Sequence, residues 1–174
     1  NVVDVDAATN TLKFEFNDDV KASVLNVLPA MRAGDIAVKS GLATANKRWC
    51  EIDYLTHEAK AAKNIHVLGD SIQVAPLMPK SGHMANQHGK TCAAAVVALL
   101  TGKQPNAMPI YTNTCYSFVS AEDAVHVASV HRYDAAQKTM LTVPGSGGVS
   151  SAANELEGGY ALAWARNIWA DTLA

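Results

Sequence analysis

The sequence predicts an α/β chain whose C-terminal part is of the α+β kind. Three observations carry this. Residues 64–101 read as a strand, a Gly-Asp tip, a loop and a long helix. Residues 110–143 hold three strand-like runs with short turns. Residues 151–173 carry apolar side chains at helical spacing.

The elements follow in chain order. Val2, Val3 and Val5 make one short strand, and Leu12, Phe14 and Phe16 alternate with Lys13 and Glu15 to make a second. Thr9-Asn10-Thr11 supplies the turn of this hairpin. A chain opening directly inside a hairpin reads as a piece of a longer one. Residues 22–28 form an apolar run stopped by Pro29, the pattern of a buried strand. Residues 30–38 suit a short helix closed by Ser40-Gly41. Residues 51–55 are a further possible strand, and 64–70 a compact one ending in Gly69-Asp70. The longest helix is expected over about 81–101, ended by Gly102 with Pro105 beyond. Its stretch 92–100 is almost wholly apolar, which implies burial on most sides. A boundary falls near 103–108. Strands are expected over 110–119, 124–133 and 139–143, a Gly-rich loop over 144–148, and a final helix with Leu156, Tyr160, Trp164 and Ile168 along one face.

Composition narrows the function classes. With 174 residues and 49% hydrophobic content the chain is globular and can bury a real core. A net charge of −2 gives no general attraction for nucleic acid or anionic membrane. No apolar run approaches the roughly 20 residues that span a bilayer. No N-terminal signal pattern is present, so a targeting segment would have been removed or lie outside this piece. Cys50, Cys92 and Cys115 are too few for a disulfide scaffold, and no CxxC or CxxCH occurs, so a zinc ribbon and an attached c-type haem are excluded within the chain.

Gly69-Asp70 at a strand tip has two readings. The carboxylate caps a turn, or it accepts a sugar or ribitol hydroxyl while the following helix N-terminus holds an anion. Lys80 adds a positive charge at that helix entrance. Cys115 lies in Tyr-Thr-Asn-Thr-Cys-Tyr-Ser, among polar and aromatic neighbours, and reads either as reactive or as structural. The six histidines do not assemble into a metal site: His83 and His88 point about 140° apart on a helix, and His126 and His131 face opposite sides of a strand. Gly145-Ser146-Gly147-Gly148 lacks the Gly-Lys-Ser/Thr of a phosphate loop, and no serine has the context of a hydrolase elbow.

Four stretches together resemble the flavoprotein subunit of flavocytochrome c sulfide dehydrogenase, which stands with sulfide:quinone oxidoreductases among the two-dinucleotide-domain flavoproteins. They are Asn26-Val27-Leu28-Pro29 with Ala33-Gly34; His66-Val67-Leu68-Gly69-Asp70; Met78-Pro79-Lys80-Ser81-Gly82-His83-Met84-Ala85-Asn86; and Asn113-Thr114-Cys115-Tyr116-Ser117. The tail 163–168, Ala-Trp-Ala-Arg-Asn-Ile, adds weaker support.

The resemblance implies the end of an NAD-like second domain over 1–33, the C-terminal half of a Rossmann-like FAD domain over 34–105, and a C-terminal domain over 106–174 with a small antiparallel sheet and a final helix. It implies FAD held by Gly69, Asp70, Pro79, Lys80, Ser81 and Gly82. Asp70 would hold the ribitol, and the helix from Ser81, with Lys80, would face the N1–C2=O edge of the ring. Cys115 would belong to a redox-active disulfide beside the flavin, and Trp164 would be the active-site aromatic, its other reading being a core residue. Hydrosulfide would attack the disulfide, and electrons would leave to haem c on a separate cytochrome c subunit. The N-terminal portion of the same flavoprotein would supply the dinucleotide fingerprint and the partner of Cys115. The setting would be periplasmic, with no metal, nucleic acid or membrane span. The alternatives are a related FAD-dependent sulfide:quinone or NADH oxidoreductase, and a non-catalytic binding or assembly module. The charged, polar end of the last helix argues against a membrane anchor.

Overall fold

The computed structural model describes residues 1–173; Ala174, the last residue of the expected C-terminal domain, lies outside the described residues. The chain divides into two compact units, residues 1–31 and 32–174.

The first unit is a three-stranded antiparallel sheet, β1 (Val2–Asp6), β2 (Thr11–Phe14) and β3 (Val20–Lys21), in that order. Val5 pairs with Leu12 and Thr11 with Lys21. The Asp6 carboxylate accepts the N–H groups of Ala8 and Thr9 at 2.9 and 3.2 Å, and Asn10 takes the left-handed conformation that closes the turn. The expected strand over 22–28 is absent. Val24 and Leu28 are 86% and 92% exposed, and the run pairs with no strand among the described residues. Ser23 and Asn26 interrupt its apolar face, so nothing drives it into a sheet.

In the second unit the short helix α1 (Asp35–Lys39) starts five residues later than expected and closes at Ser40-Gly41. It buries Ala37 in a small core with Ala33 and Cys50. The segment up to residue 78 is largely irregular, held by isolated bridges. The strand expected over 51–55 is reduced to such bridges, at Cys50 to Ile72 and Ile52 to Ala59, because Asp53 turns the chain: its carboxylate accepts the Leu55 N–H at 2.7 Å and its carbonyl the His57 N–H at 2.7 Å. The strand expected over 64–70 keeps one bridge, His66 to Glu58. Gly69 then adopts φ +66°, which ends extended backbone and opens a 3-10 turn, Gly69–Ser71.

Helix α2 (Gly82–Leu100) follows, capped by Ser81 and closed by Thr101 with left-handed Gly102. Its C-terminal half is not buried on most sides. Cys92 and Ala95 face the core, whereas Val97 and Leu100 are 61% and 83% exposed. The sheet then forms as expected, from β4 (Ile110–Phe118), β5 (Ala124–Asp134) and β6 (Thr139–Thr142), all antiparallel, and a short β7 (Gly148–Val149) also pairs with β5. Ile52, Tyr54, Ile72, Met78, Met84, Tyr111 and Met140 form the main core, so the irregular segment, α2 and the sheet share one interior.

Helix α3 (Glu155–Leu173) closes the unit with part of the expected face: Trp164 and Ile168 are half-buried, but the N-terminal half turns otherwise. Leu156 and Tyr160 are more than half exposed, while Gly158 and Ala161 are buried. A Cβ added at Gly158 would stand 1.8 Å from the Glu122 carbonyl oxygen, so close backbone approach selects the buried face over side-chain size. Helices and antiparallel sheet thus make the chain α/β.

Candidate functional site

The site is built at the N-terminus of α2. Ser81 is extended, at φ −156°, and its Oγ accepts the Met84 N–H at 3.1 Å. Its carbonyl accepts the Ala85 N–H at 2.9 Å. The N–H groups of Gly82 and His83 have no acceptor among the described residues, and a Cβ added at Gly82 would meet nothing within 4 Å. This is an open helix end carrying partial positive charge.

Strand β4 delivers the sulfur. Tyr111, Asn113 and Cys115 alternate along one face, and Tyr111 and Asn113 are buried while Cys115 is half-buried. Asn113 Oδ1 accepts the Ser81 hydroxyl at 2.5 Å, and its Nδ2 lies 3.5 Å from Cys115 Sγ. The Thr114 N–H donates to His83 Nδ1 at 3.0 Å. A neutral His83 therefore carries its proton on Nε2, and burial holds the ring below its ordinary proton affinity.

Helix α3 supplies Trp164, half-buried between His83, edge-on at 5.8 Å, and Tyr116 at 6.2 Å. Ser81, Gly82, His83, Cys115, Tyr116 and Trp164 line one cleft of about 330 Å³. Lys90 and Asn86 on α2 bind the Asp171 carboxylate at 2.8 and 2.7 Å, which ties down the far end of α3. Those two contacts hold the Asp171 carboxyl below the usual range.

Four of the expected site residues, Ser81, Gly82, Cys115 and Trp164, thus meet at one cleft. The other four lie outside it. Gly69 is buried against α2, where an added Cβ would stand 3.4 Å from Ala85 Cβ. Asp70 is exposed, and its carboxylate has no hydrogen-bond partner among the described residues. Pro79 is half-buried between Met78 and Lys80. The Lys80 ammonium turns inward, donating to the Asp70 and Ile72 carbonyls at 2.6 and 2.7 Å and lying 3.8 Å from the centre of the Trp49 ring. It braces the turn that presents Asp70.

Two groupings escape sequence reasoning. The first is a buried knot of His57, His88 and Tyr111. His57 Nδ1 meets the Val67 carbonyl at 3.2 Å and its Nε2 meets the Tyr111 hydroxyl at 2.9 Å, while the Gly69 N–H donates to His88 Nδ1 at 3.2 Å. Burial pushes the two rings down to about 4 and about 3. The residues are too far apart in sequence for any spacing rule to join them. The second is Asn113, which the period-2 spacing from Cys115 does signal. Near the cleft, Glu157 accepts from Ser150 and pairs with His126 Nδ1 at 2.6 and 2.7 Å, two contacts that hold its carboxyl below the usual range. Both contacts to His126 fall on one ring nitrogen, so this is a brace between β5 and α3 and not a triad. Among the described residues no group of three or more metal-ligating side chains forms, and no helix is long and apolar enough to cross a membrane.

Residues 107–173 match the family model described as "Flavocytochrome c sulphide dehydrogenase, flavin-binding". The match runs from β4 through α3 and so contains both Cys115 and Trp164. The C-terminal portion of this chain is therefore similar to the flavin-binding domain of flavocytochrome c sulfide dehydrogenase, which supports a flavoprotein role with FAD as the cofactor.

Proposed function

We propose that this chain serves a sulfide dehydrogenase, oxidising sulfide through a redox-active disulfide that includes Cys115 and passing the electrons, by way of FAD, to a cytochrome c subunit. One observation carries the reading. Of the three cysteines, Cys115 alone is not buried, and it lines a cleft with Trp164, which like it lies inside the segment matched to the family, and with the open N-terminus of α2, which lies before that segment. Burial raises Cys50 and Cys92 above the ordinary thiol range and leaves them as inert core residues.

The residues present fit the cofactor. Open space stands before Gly82, and two N–H groups there lack acceptors, which suits a carbonyl edge that becomes anionic on reduction. Asp70 presents a free carboxylate for a hydroxyl, held in place by Gly69 and by Lys80, and Pro79 and Ser81 fix the loop into the helix. FAD, when bound, supplies a two-electron acceptor. In the protein step, hydrosulfide attacks the partner sulfur. The S–S bond breaks, the partner becomes a persulfide, and Cys115 leaves as a thiolate. Trp164 and Tyr116 line the cleft beside the sulfur, and the free N–H groups at the start of α2 stand at the same cleft, where a helix N-terminus favours negative charge. The partner cysteine, together with the rest of the flavin site, belongs to the N-terminal portion of the same flavoprotein in this reading. A periplasmic setting, where disulfides persist, goes with it.

The test is sulfide-dependent cytochrome c reduction by the full-length flavoprotein assembled with its cytochrome subunit. Cys115→Ser should abolish turnover with folding retained. Normal turnover in that variant would overturn the proposal.

A further inference from the structure

The Asn113 side chain is 3% exposed and touches both the helix cap and the sulfur. Its orientation is determined by chemistry. Ser81 Oγ already accepts the Met84 N–H, and its single proton needs an acceptor, which Asn113 Oδ1 supplies at 2.5 Å. The opposite orientation would leave that hydroxyl proton without a partner in a half-buried place. With Oδ1 turned to Ser81, Nδ2 stands 3.5 Å from Cys115 Sγ, and Oδ1 itself is 3.7 Å from the same sulfur. The amide edge therefore meets sulfur in either protonation state: its N–H donates to a thiolate, and its carbonyl accepts from a thiol.

We propose that Asn113 is a catalytic residue of this site, the fixed N–H donor that holds the Cys115 sulfur and stabilises the negative charge placed on it when the disulfide opens. The inference rests on the reading of Cys115 as the reactive cysteine. Asn113 takes no proton, because Cys115 leaves the disulfide directly as a thiolate and the hydrosulfide proton stays on the persulfide. The bond to Ser81 locks the donor to the same helix end whose free N–H groups line the cleft, so sulfur, amide and helix terminus are held as one preorganised unit. No other side-chain donor reaches Sγ among the described residues.

The test is alkylation of Cys115 by iodoacetamide at pH 7 in the full-length, FAD-bound protein after disulfide reduction, followed peptide by peptide. Buried Cys50 and Cys92 serve as reporters of intact folding. Asn113→Asp keeps the acceptor for Ser81 and the side-chain volume but lacks the N–H and adds negative charge. Asn113→Ala lacks both bonds. Alkylation should slow about tenfold in both variants, with Cys50 and Cys92 still protected. An Asn113 with no donor role would give the wild-type rate in Asn113→Ala with Cys50 and Cys92 still protected, since the charge added in Asn113→Asp slows alkylation by itself, and that result overturns the inference. If either variant exposes the buried cysteines, the Raman S–H band of Cys115 in the wild type, isolated by difference from Cys115→Ser, decides: a hydrogen-bonded band supports the contact and a free one overturns it. Neither readout uses sulfide. A wild-type rate in Asn113→Ala leaves the sulfide reading standing, and normal turnover in Cys115→Ser sinks that reading while leaving the amide's hold on sulfur intact.

Discussion

The two ends of β4 carry the same kinds of chemistry and put them to opposite uses. At one end Tyr111 is fully buried with His57 and His88. Three ionisable rings meet there, yet burial keeps the imidazoles neutral and the phenol protonated. Four residues further on, Cys115 is half-buried, beside a cleft and a helix end with unspent N–H groups. The difference is access. Titratable groups sealed from water stay neutral and act as struts, even though His88 Nε2 has no hydrogen-bond partner among the described residues. A thiol left reachable, beside a cleft and a helix end with unspent donors, is where the proposed chemistry is placed.

The largest expected effect attacks the buried end through pH. His57 and His88 have folded-state values of about 4 and about 3, below the unfolded value of 6.5. Above pH 6.5 both states are neutral and the stability is complete. Below it the unfolded chain binds protons that the folded chain refuses, so stability falls as pH drops through the window from 6.5 towards 4 and then 3. The slope should reach about 1.4 kcal/mol per pH unit for each ring. Denaturant unfolding between pH 7.5 and 4.5 measures it, and a flat profile would mean that the knot is wet or open. Protonation of His88 at Nδ1 also displaces the Gly69 N–H, so the turn carrying Asp70 should gain amide exchange first.

Tyr111→Phe comes next. It removes the hydroxyl that lies 2.9 Å from His57 Nε2 and 3.0 Å from the Tyr54 carbonyl and should cost about 1–3 kcal/mol of stability. Activity should persist, because Tyr111 does not line the cleft. Ser81→Ala is the smallest effect at the level of stability, about 1 kcal/mol for loss of the α2 cap, read by thermal unfolding. A much larger loss would show that the Ser81–Asn113 bond supports the fold at both ends of β4.

How much of this was legible follows from how local each signal is. Helix α2 announces itself with Ser81 before it and Gly102 after it, and β4 to β6 with runs broken by turn residues. The segments 51–55 and 64–70 look like strands but depend on partners that no local pattern names, and Asp53 and Gly69 turn the chain instead. In α3 the large apolar side chains misdirect: Leu156 and Tyr160 stay outside because Gly158 must face Glu122. The cleft was half legible. Cys115 and Ser81 stand out in sequence, but their joint hold on Asn113 is a contact across 32 residues. The turning inward of Lys80 was not legible either, since a lysine's reach is decided by which carbonyls the fold leaves free.

The central claim is that chemistry sits at the Cys115 end of β4 and structure at the Tyr111 end. The most direct test is anaerobic titration of the full-length flavoprotein with sulfide, following bleaching of the flavin absorbance in Cys115→Ser and Tyr111→Phe side by side. Cys115→Ser should show no bleaching at normal thermal stability, and Tyr111→Phe should bleach like the wild type at reduced thermal stability. Bleaching in Cys115→Ser, or its loss in a folded Tyr111→Phe, would contradict the account.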